Sequence, residues 1–268
     1  MLAQVFAEKV HVRNPGNDGS LLALQEISLS FQMGERIGLM GRNGSGKTTL
    51  VRLLGGLDAP TRGRISRVPG SAKVMLVLQR PEDHFVRSTV GEQVSSFSPR
   101  RLAPKSVHKL LDQVGLPDVI GLQPPLRLST GQQRLVAIAC ALASEAPLII
   151  MDEPMAGLDY QGRQMVRQAL LRLQSERDLG WVMVSHHPDD MLGLIERVWI
   201  LDSGRLIYDG PFDAVPVDTL KLCLSVNDVS LYFILRQMEA RGIIFQDSPY
   251  CCTHVEQFSA LFQKAHVP

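Results

Sequence analysis

A glycine-rich segment at residues 41–48 has the residue types and the spacing that a phosphate-binding loop requires. It reads GRNGSGKT, with a short apolar run before it that predicts a strand and a helix-favouring run after it. Glycines allow successive backbone N–H groups to turn inward around a phosphate, and the start of the following helix adds partial positive charge. Lys47 is suited to contact the β- and γ-phosphates, and Thr48 offers a hydroxyl to Mg²⁺. The segment therefore predicts a site for ATP and Mg²⁺ in preference to an ordinary glycine-rich turn.

Two adjacent carboxylates follow a second apolar run, at residues 148–151. Such a run predicts a buried strand, and α/β proteins bind ligands at the carboxyl ends of their strands. Asp152 is placed to hold the shell of Mg²⁺, and a helix N-cap is the alternative role for this residue. Glu153 is placed to orient and deprotonate the water that attacks the γ-phosphate, which is the positioning role that phosphoryl transfer requires.

Two histidines follow a third apolar run, at residues 181–184. His186 is expected at the same sheet edge as Glu153, where it can bond the γ-phosphate. His187 precedes Pro188 and is expected to be a solvated turn residue. Because only the position at the end of the strand distinguishes the two, the catalytic interpretation is restricted to His186.

Hydrophobic periodicity predicts the elements that must position these side chains. Strands are expected at residues 23–31, in a β-rich N-terminal part, and from 36, at 74–78, at 148–151, at 181–184 and at 198–201. Helices are expected from the phosphate loop to residue 54, at 161–177 and at 189–195. Residues 81–147 predict an inserted helical lobe. The alternation of short strands with helices predicts an α/β fold whose mostly parallel central sheet is covered on both faces.

Two boundaries follow from the composition along the chain. The main domain is expected to span residues 1–211, with the helical lobe at about 81–147. The composition then shifts beyond Gly210 and Pro211, which predicts a helical C-terminal extension at 212–268.

The bulk composition narrows the class of partner. The chain has 28 Lys and Arg against 27 Asp and Glu, a net charge of +1, so no global positive field would hold a nucleic acid. The charge-free run at 135–143 is far shorter than the roughly 20 residues that span a bilayer. Glu8 and Lys9 follow an apolar start, the reverse of the order in a secretory signal.

Cysteines stand at positions 140, 223, 251 and 252. Their spacing favours a reduced cytosolic protein over disulfides, and over a zinc site at Cys251, Cys252 and His254.

The motifs and their order resemble the ATP-binding cassette (ABC) family of transporter ATPases. They are the phosphate loop, Gln79 after its strand, LSTGQQR at 128–134, DEP at 152–154, AGLD at 156–159 and VSH at 184–186. The segment that ends at Arg134 is the signature that separates this family from other phosphate-loop proteins. The resemblance implies an ATPase whose hydrolysis is coupled to transport across a membrane.

The resemblance also implies roles for residues outside the phosphate loop. Two cassettes of this family pack head to tail around ATP. The resemblance therefore implies that Ser129 and Gly131, at the start of a signature helix that runs to Ala143, contact the γ-phosphate bound by the partner. Gln79 would touch the metal or the attacking water, in a catalytic role beside Glu153 and His186, and Asp159 would communicate across the dimer interface. The implied nucleotide-binding set is Gly41, Arg42, Asn43, Gly44, Ser45, Gly46, Lys47, Thr48, Thr49, Ser129, Gly131, Gln132 and Asp159. The implied metal set is Thr48, Gln79 and Asp152.

A finer match resembles the ATPases of energy-coupling factor importers. It lies in LQRPEDHF at 78–85, TV at 89–90 and EPMAGLD at 153–159. The match implies a second ATPase subunit, identical or different, a transmembrane coupling subunit and a membrane subunit that binds a vitamin or a metal ion. The chain would lie peripherally at the cytoplasmic face of the membrane, and a short helix of the partner would occupy a groove near Gln79. The alternatives are a soluble ABC-type ATPase without a transport role and a module that binds ATP without turnover.

Three residues depart from the family pattern. Asn14 stands where the family usually has an aromatic ring against adenine, and His84 stands where these importers commonly have glutamine. Thr130 replaces the second glycine of the signature, which adds a β-branched side chain beside the partner's phosphate.

Overall fold

The computed structural model describes residues 3–13, 22–176, 179–216 and 218–220. The strands are β1 (Gln4–Arg13), β2 (Leu22–Gln32), β3 (Arg36–Gly41), β4 (Arg62–Val68), β5 (Val74–Val77), β6 (Leu148–Asp152), β7 (Gly180–Val184), β8 (Arg197–Asp202) and β9 (Arg205–Pro211). The α-helices are α1 (Lys47–Gly55), α2 (Val90–Phe97), α3 (Pro104–Gln113), α4 (Thr130–Ala143), α5 (Tyr160–Glu176) and α6 (Pro188–Met191). The positions of interest that lie outside the described residues are Asn14, Cys223, Cys251, Cys252 and His254, together with the rest of the predicted extension beyond residue 220.

The central sheet is mostly parallel, which confirms the predicted fold class. Its strand order is β5-β6-β7-β3-β8-β9, and β9 runs antiparallel to β8 while the other pairs are parallel. All five residues of β7 are buried, as expected of a strand covered on both faces. The order places β6, β7 and β3 side by side, so their carboxyl ends meet at one edge of the sheet.

The central sheet separates two hydrophobic cores, because successive side chains of a strand point to opposite faces. Ile149 and Met151 face the core that is shared with α4 and α5. Leu148 and Ile150, on the same strand, face the core that α1 and the N-terminal strands complete. The predicted coverage of both sheet faces is therefore confirmed.

The N-terminal part is a second sheet, which is antiparallel and has the order β2-β1-β4. It confirms the predicted β-rich start, and β2 extends one residue beyond the predicted strand at each end. Val5, at the centre of this sheet, pairs with Phe31 of β2 and with Arg67 of β4. The sheet lies over α1 and holds that helix against the central sheet.

Residues 81–147 form the predicted helical lobe, and this described segment contains helices and turns without a strand. Helix α4 is its central element, with twelve of fourteen residues buried against α2, α3 and α5. The charge-free run at 135–143 belongs to α4, so its apolar character reflects burial from several sides. In the part of the chain that the structure describes, no helix combines the length and the apolar composition that crossing a bilayer requires.

One prediction of local structure was wrong in part, and one strand of the central sheet was missed. The helix expected at 189–195 is the single turn α6, because the chain turns at Leu192 and Gly193 takes the left-handed conformation with φ +68°. Strand β9 was not predicted. Its residues alternate between exposed and half-buried at the sheet edge, and Gly210 and Pro211 at its end have the composition of a turn.

Candidate functional site

The phosphate loop joins β3 to α1, and two of its glycines are required by their surroundings. A Cβ atom at Gly41, which has φ +148°, would lie 2.3 Å from the backbone oxygen of Leu201. A Cβ atom at Gly46, which has φ +103°, would lie 2.6 Å from the backbone oxygen of Ala23. Gly44 has no neighbouring atom near its Cβ position, so the loop is packed against protein at Gly41 and Gly46 and open to solvent at Gly44. This is the shape that lets backbone N–H groups approach a phosphate.

Lys47 begins α1 and is only 7% exposed. Its Nζ donates hydrogen bonds to the backbone oxygens of Gly41, at 2.8 Å, and Arg42, at 3.0 Å. The lysine side chain therefore folds back over its own loop, and its charge is fixed at the mouth of the phosphate cradle. A fixed ammonium group there suits the β- and γ-phosphates of a nucleotide.

A cavity of about 980 Å³ opens over this loop and collects most of the predicted site residues. Those that line it are Asn43, Gly44, Gly46, Lys47, Thr48, Thr49, Gln79, Asp152, Glu153 and His186. Three separate strand ends, of β5, β6 and β7, bring Gln79, the two carboxylates and His186 to this cavity. The expectation that His186 lies at the same sheet edge as Glu153 is confirmed, and Gln79 lies at this edge as well.

The cavity also has a wall that sequence analysis missed, formed by Leu22, Ala23, Gln25, Ser203 and Gly204. Backbone hydrogen bonds tie this wall to the phosphate loop. The Gly204 N–H donates to the Ser45 oxygen at 3.0 Å, and the Gln25 N–H donates to the Gly204 oxygen at 2.7 Å. The sequence signal for Ser203 and Gly204 was the turn that follows β8, at the edge where the other strands deliver functional residues.

Glu153 and His186 form a direct contact inside the cavity. Nε2 of His186 lies 2.7 Å from Oε1 of Glu153, and the glutamate side chain is 13% exposed. Glu153 has a left-handed backbone with φ +52°, a conformation that costs a non-glycine residue roughly 1–2 kcal/mol. Its N–H donates to the Val184 oxygen of the neighbouring strand at 3.1 Å, which holds this conformation. The backbone hydrogen bond to Val184 and the side-chain contact with His186 together fix the orientation of the Glu153 carboxylate.

Asp152 is half-buried beside Glu153, and its pKa is raised above that of an ordinary aspartate. Burial is the main cause, the negative charge of Glu153 adds to it, and the charges of Lys47, His186 and Arg134 act in the opposite direction. A raised pKa means that the carboxylate is poorly compensated by the protein. A cation bound in the cavity would supply the missing compensation.

The donor set fits Mg²⁺ held together with a nucleotide. Thr48, Gln79 and Asp152 bring a hydroxyl, an amide and a carboxylate oxygen to one cavity. Protein sites for Mg²⁺ commonly use one or two carboxylates and take further oxygen ligands from phosphates. Among the described residues, no group of three or more His, Cys, Asp or Glu side chains could hold a metal ion.

Arg134 is a further charged residue near the site, and sequence analysis identified it only as the end of the signature. It is buried in α4, and Nη1 donates to the backbone oxygen of Leu78 at 3.3 Å. Burial lowers its pKa, while the negative charges of Glu82, Asp152 and Glu153 act against this. Arg134 thus connects the signature helix to the backbone just before Gln79.

Gly41, Arg42 and Ser45 belong to the phosphate loop but do not line the cavity. The other four predicted residues lie away from it, at the starts of α4 and α5. Ser129 is the N-cap of α4, where its Oγ accepts from the Gln132 N–H at 3.3 Å and Gln132 Oε1 accepts from the Ser129 N–H at 3.0 Å. Asp159 precedes α5, and its Oδ1 accepts from the Gly162 N–H at 2.7 Å. Within one chain, therefore, Ser129, Gly131, Gln132 and Asp159 are separate from the phosphate loop. His187 is exposed, as predicted.

Comparisons with known proteins agree with this geometry. The model of the ABC transporter family matches residues 24–156. The energy-coupling factor transporter ATP-binding protein EcfA2 of Clostridium perfringens is 32% identical over 269 residues, covering 92% of this chain and 93% of the relative. The sulfate/thiosulfate import ATP-binding protein CysA 2 of Chromobacterium violaceum is 36% identical over 203 residues, covering 72% of this chain and 55% of the relative.

A solved structure shares the fold over most of its length. It is a dimeric ATP-binding cassette in a post-hydrolysis state, bound to ADP and Pi, and it is 25% identical to this chain. The superposition has a TM-score of 0.68 and covers 78% of this chain and 98% of the solved one. The cassette fold, the ordered motifs and the full-length relative agree, and this chain belongs to the ABC family of transporter ATPases.

Proposed function

We propose that this chain is the ATP-hydrolysing subunit of an energy-coupling factor importer for a vitamin or a metal ion. As an ABC ATPase it couples ATP hydrolysis to transport, and the proposal concerns the kind of transporter. The observation that carries the hydrolytic part is the contact between Glu153 and His186 in the cavity over the phosphate loop. The importer type is supported by the full-length similarity to EcfA2.

The residues of the cavity have distinct tasks in this proposal. Lys47 binds the β- and γ-phosphates, and the backbone of the phosphate loop holds the β-phosphate. Thr48, Gln79 and Asp152 hold Mg²⁺, which supplies charge neutralisation on the phosphates when it is bound. Glu153 accepts a proton from the attacking water, and His186 orients Glu153 and the γ-phosphate. The side chains of Leu22 and Ala23 offer the apolar surface on which the adenine base packs.

The position of the signature supports a site that is completed by a second ATPase subunit. Ser129 and Gly131 lie at the start of α4, and neither lines the cavity that holds Lys47 and Asp152. A helix N-terminus attracts anions, so in a head-to-tail dimer these residues reach the γ-phosphate bound by the partner. Gln132 and Asp159 act at the same interface. The similar solved cassette is a dimer with ADP and Pi, which supports this arrangement.

A groove beside Gln79 supports docking of the transmembrane coupling subunit. It is an apolar cavity of about 290 Å³, with Leu57, Met75, Phe85 and Phe97 among its lining residues. Val77 and Leu78, which immediately precede Gln79, also line it. A short amphipathic helix is the kind of segment that fills such a groove. Docking there would place the chain peripherally at the cytoplasmic face of the membrane, and motion of the docked helix would reach Gln79 directly.

Purification of the tagged chain from its native membranes in mild detergent tests the proposal. The expected result is a complex that hydrolyses ATP and in which mass spectrometry identifies a second ATPase, a transmembrane coupling subunit and a small membrane subunit. A chain that hydrolyses ATP but is recovered only in soluble complexes would contradict the transport role. A complex with paired transmembrane domains and no separate coupling subunit would contradict the energy-coupling factor type.

A further inference from the structure

Arg163, in the first turn of α5, connects this helix to the loop that carries His186. Its Nη1 donates to Oδ1 of Asp190 at 3.1 Å, and its Nε donates to the backbone oxygen of Leu158 at 3.3 Å. Asp190 lies in α6, the single helical turn that follows His186 and His187. One guanidinium therefore bonds both the segment that contains Asp159 and the segment that contains His186.

Asp190 in turn holds the residues on each side of His186. Oγ of Ser185 donates to Oδ2 of Asp190 at 3.0 Å, and Oγ of Ser185 accepts from the N–H of His187 at 3.0 Å. The backbone N–H of Asp190 donates to the His187 oxygen at 3.1 Å. Ser185 is 3% exposed and the Asp190 side chain is 8% exposed. His186 is thus the residue between two anchored neighbours, and the anchor is a buried carboxylate.

Arg163 contacts Asp190 directly, and Arg167 is a second cation near this carboxylate. Burial raises the pKa of Asp190, whereas the charge of Arg163 and the hydrogen bond from Ser185 lower it. The Arg163 side chain is 36% exposed and the Asp190 side chain is 8% exposed, so Arg163→Ala removes the direct hydrogen-bond partner of a buried carboxylate. Arg167, the second cation near Asp190, donates to the backbone oxygen of Leu192. Without Arg163, the loop around Asp190 is expected to rearrange. Ser185 belongs to this loop and His186 directly follows it, so the 2.7 Å contact between His186 and Glu153 is expected to change as well.

The same turn of α5 also packs against the start of the signature helix. A Cβ atom at Gly131 would lie 3.1 Å from Cα of Gly162, the residue before Arg163. Gly162 is itself bonded through its N–H to Oδ1 of Asp159. The first turn of α5 is therefore in contact with the signature helix on one side and with the His186 loop on the other.

We propose that Arg163 and Asp190 are a positioning pair that fixes the His186 loop to the first turn of α5. The pair keeps His186 in hydrogen-bonding distance of Glu153, and through Gly162 it links this arrangement to the start of α4. The signature is expected to contact the nucleotide bound by the partner. The pair therefore connects the hydrolytic site of one chain with the surface of the same chain that completes the partner's site. This role rests on the proposed function, specifically on ATP hydrolysis in a head-to-tail dimer.

The test compares Arg163→Ala with wild type in the complex purified from native membranes through a tag on this chain. The expected result is a kcat for ATP hydrolysis about 10- to 100-fold lower, the size of effect that a displacement of about 1 Å causes. KM for ATP should stay within about twofold, because neither Arg163 nor Asp190 lines the cavity over the phosphate loop. Arg172→Ala is the matched control, since it removes an exposed charge from the same helix and should leave kcat unchanged.

Two further variants separate positioning from general support of the fold. Arg163→Lys keeps the charge opposite Asp190, so kcat should recover in part. Asp190→Asn removes the negative charge of the pair. The double variant that combines Arg163→Ala with Asp190→Asn should lose no more activity than the more damaged of these two single variants, because the residues act as one unit. Should Arg163→Ala fail to fold, Arg163→Lys and Asp190→Asn carry the same test.

A wild-type kcat in Arg163→Ala would overturn the positioning pair. The proposal would also fail if the fold losses of kcat in Arg163→Ala and Asp190→Asn multiplied in the double variant. A rise in KM equal to the fall in kcat would do the same, because it would indicate general damage to the nucleotide site. These results differ from a failure of the proposed function, which would appear as a wild-type complex without ATP hydrolysis.

Discussion

His186 Nε2 and Glu153 Oε1 are 2.7 Å apart, although the two residues come from the ends of different strands. Because β6 and β7 are neighbours, the backbone of Glu153 is also bonded to Val184, two residues before His186. The contact orients the carboxylate toward the cavity above Thr48 and Asp152. This geometry supports the proposed role of Glu153 as the general base.

Glu153→Gln is expected to keep ATP affinity and to lower kcat by roughly 10²-fold or more, the scale of losing a positioned general base. The amide can still bond His186 but cannot accept a proton from water, so an ATP-bound dimer should accumulate. Steady-state hydrolysis and size-exclusion chromatography with ATP and Mg²⁺ measure the two effects. Glu92→Gln, at an exposed carboxylate of α2, is the control. Hydrolysis at the wild-type rate would remove Glu153 from the catalytic role.

Lys47→Ala is expected to weaken ATP binding by about 10- to 100-fold or more, since a hydrogen bond to a charged group contributes about 1.5–3 kcal/mol. The variant also loses the bonds to the Gly41 and Arg42 oxygens, so the loop itself becomes less ordered. Isothermal titration calorimetry measures the affinity, and circular dichroism checks the fold. Lys73→Ala changes an exposed lysine and should bind ATP normally. Normal binding by Lys47→Ala would contradict the phosphate cradle.

Asp152→Asn is expected to abolish Mg²⁺-dependent hydrolysis while stabilising the nucleotide-free chain by about 0.5–2 kcal/mol. The sign follows from the raised pKa of Asp152. The folded chain favours the protonated carboxyl, so ionisation of Asp152 destabilises the wild type as the pH rises through its folded-state pKa. The neutral variant escapes this penalty, and its advantage should disappear at pH values below the pKa of an unfolded aspartate.

Thermal unfolding at several pH values measures this gain, with Asp112→Asn at an exposed position of α3 as the control. The raised pKa has a second consequence, because protons compete with Mg²⁺ for the carboxylate. The affinity for Mg²⁺ should begin to fall, as the pH is lowered, at a higher pH than for an ordinary aspartate. A less stable Asp152→Asn variant at neutral pH would contradict the assignment of a poorly compensated buried charge.

Ser129→Arg is expected to block dimer closure and hydrolysis while the chain still binds ATP through its own phosphate loop. The arginine would place a large cation at the helix start that must face the partner's γ-phosphate. It would also remove the cap on α4, which contributes about 1 kcal/mol. Ser129→Ala removes the same cap without adding the cation, so the difference between the two variants isolates the effect of the cation.

Mixing Ser129→Arg chains with Lys47→Ala chains tests whether the signature acts on the partner's nucleotide, provided that the chain pairs with itself. One composite site of the mixed dimer would contain neither substitution, and partial recovery of hydrolysis is expected. If mixed dimers form and hydrolyse nothing, then either the signature acts within its own chain or both sites must be intact together. Either result would refute independent sites completed in trans.

The sequence by itself determined the features that depend on short stretches of chain. The phosphate loop was predicted because glycine is the residue that tolerates the left-handed and crowded positions at Gly41 and Gly46. Helix α4 was expected because the periodicity of residues 81–147 is mostly helical and because the family resemblance places a helix at the signature, and the sheet strands were expected because fully buried strands are continuously apolar. The residues of the cavity could be assigned to one sheet edge because parallel strands end on the same side.

The tertiary structure alone decided which strand ends are neighbours and which distant segments touch. Adjacency of β6 and β7 creates the contact of Glu153 with His186, and no local pattern specifies strand order. The wall at Ser203 and Gly204 and the pair of Arg163 with Asp190 likewise join segments that are far apart along the chain. Local conformation follows from backbone sterics within a few residues, whereas these contacts follow from how the sheet and helices pack to bury apolar surface.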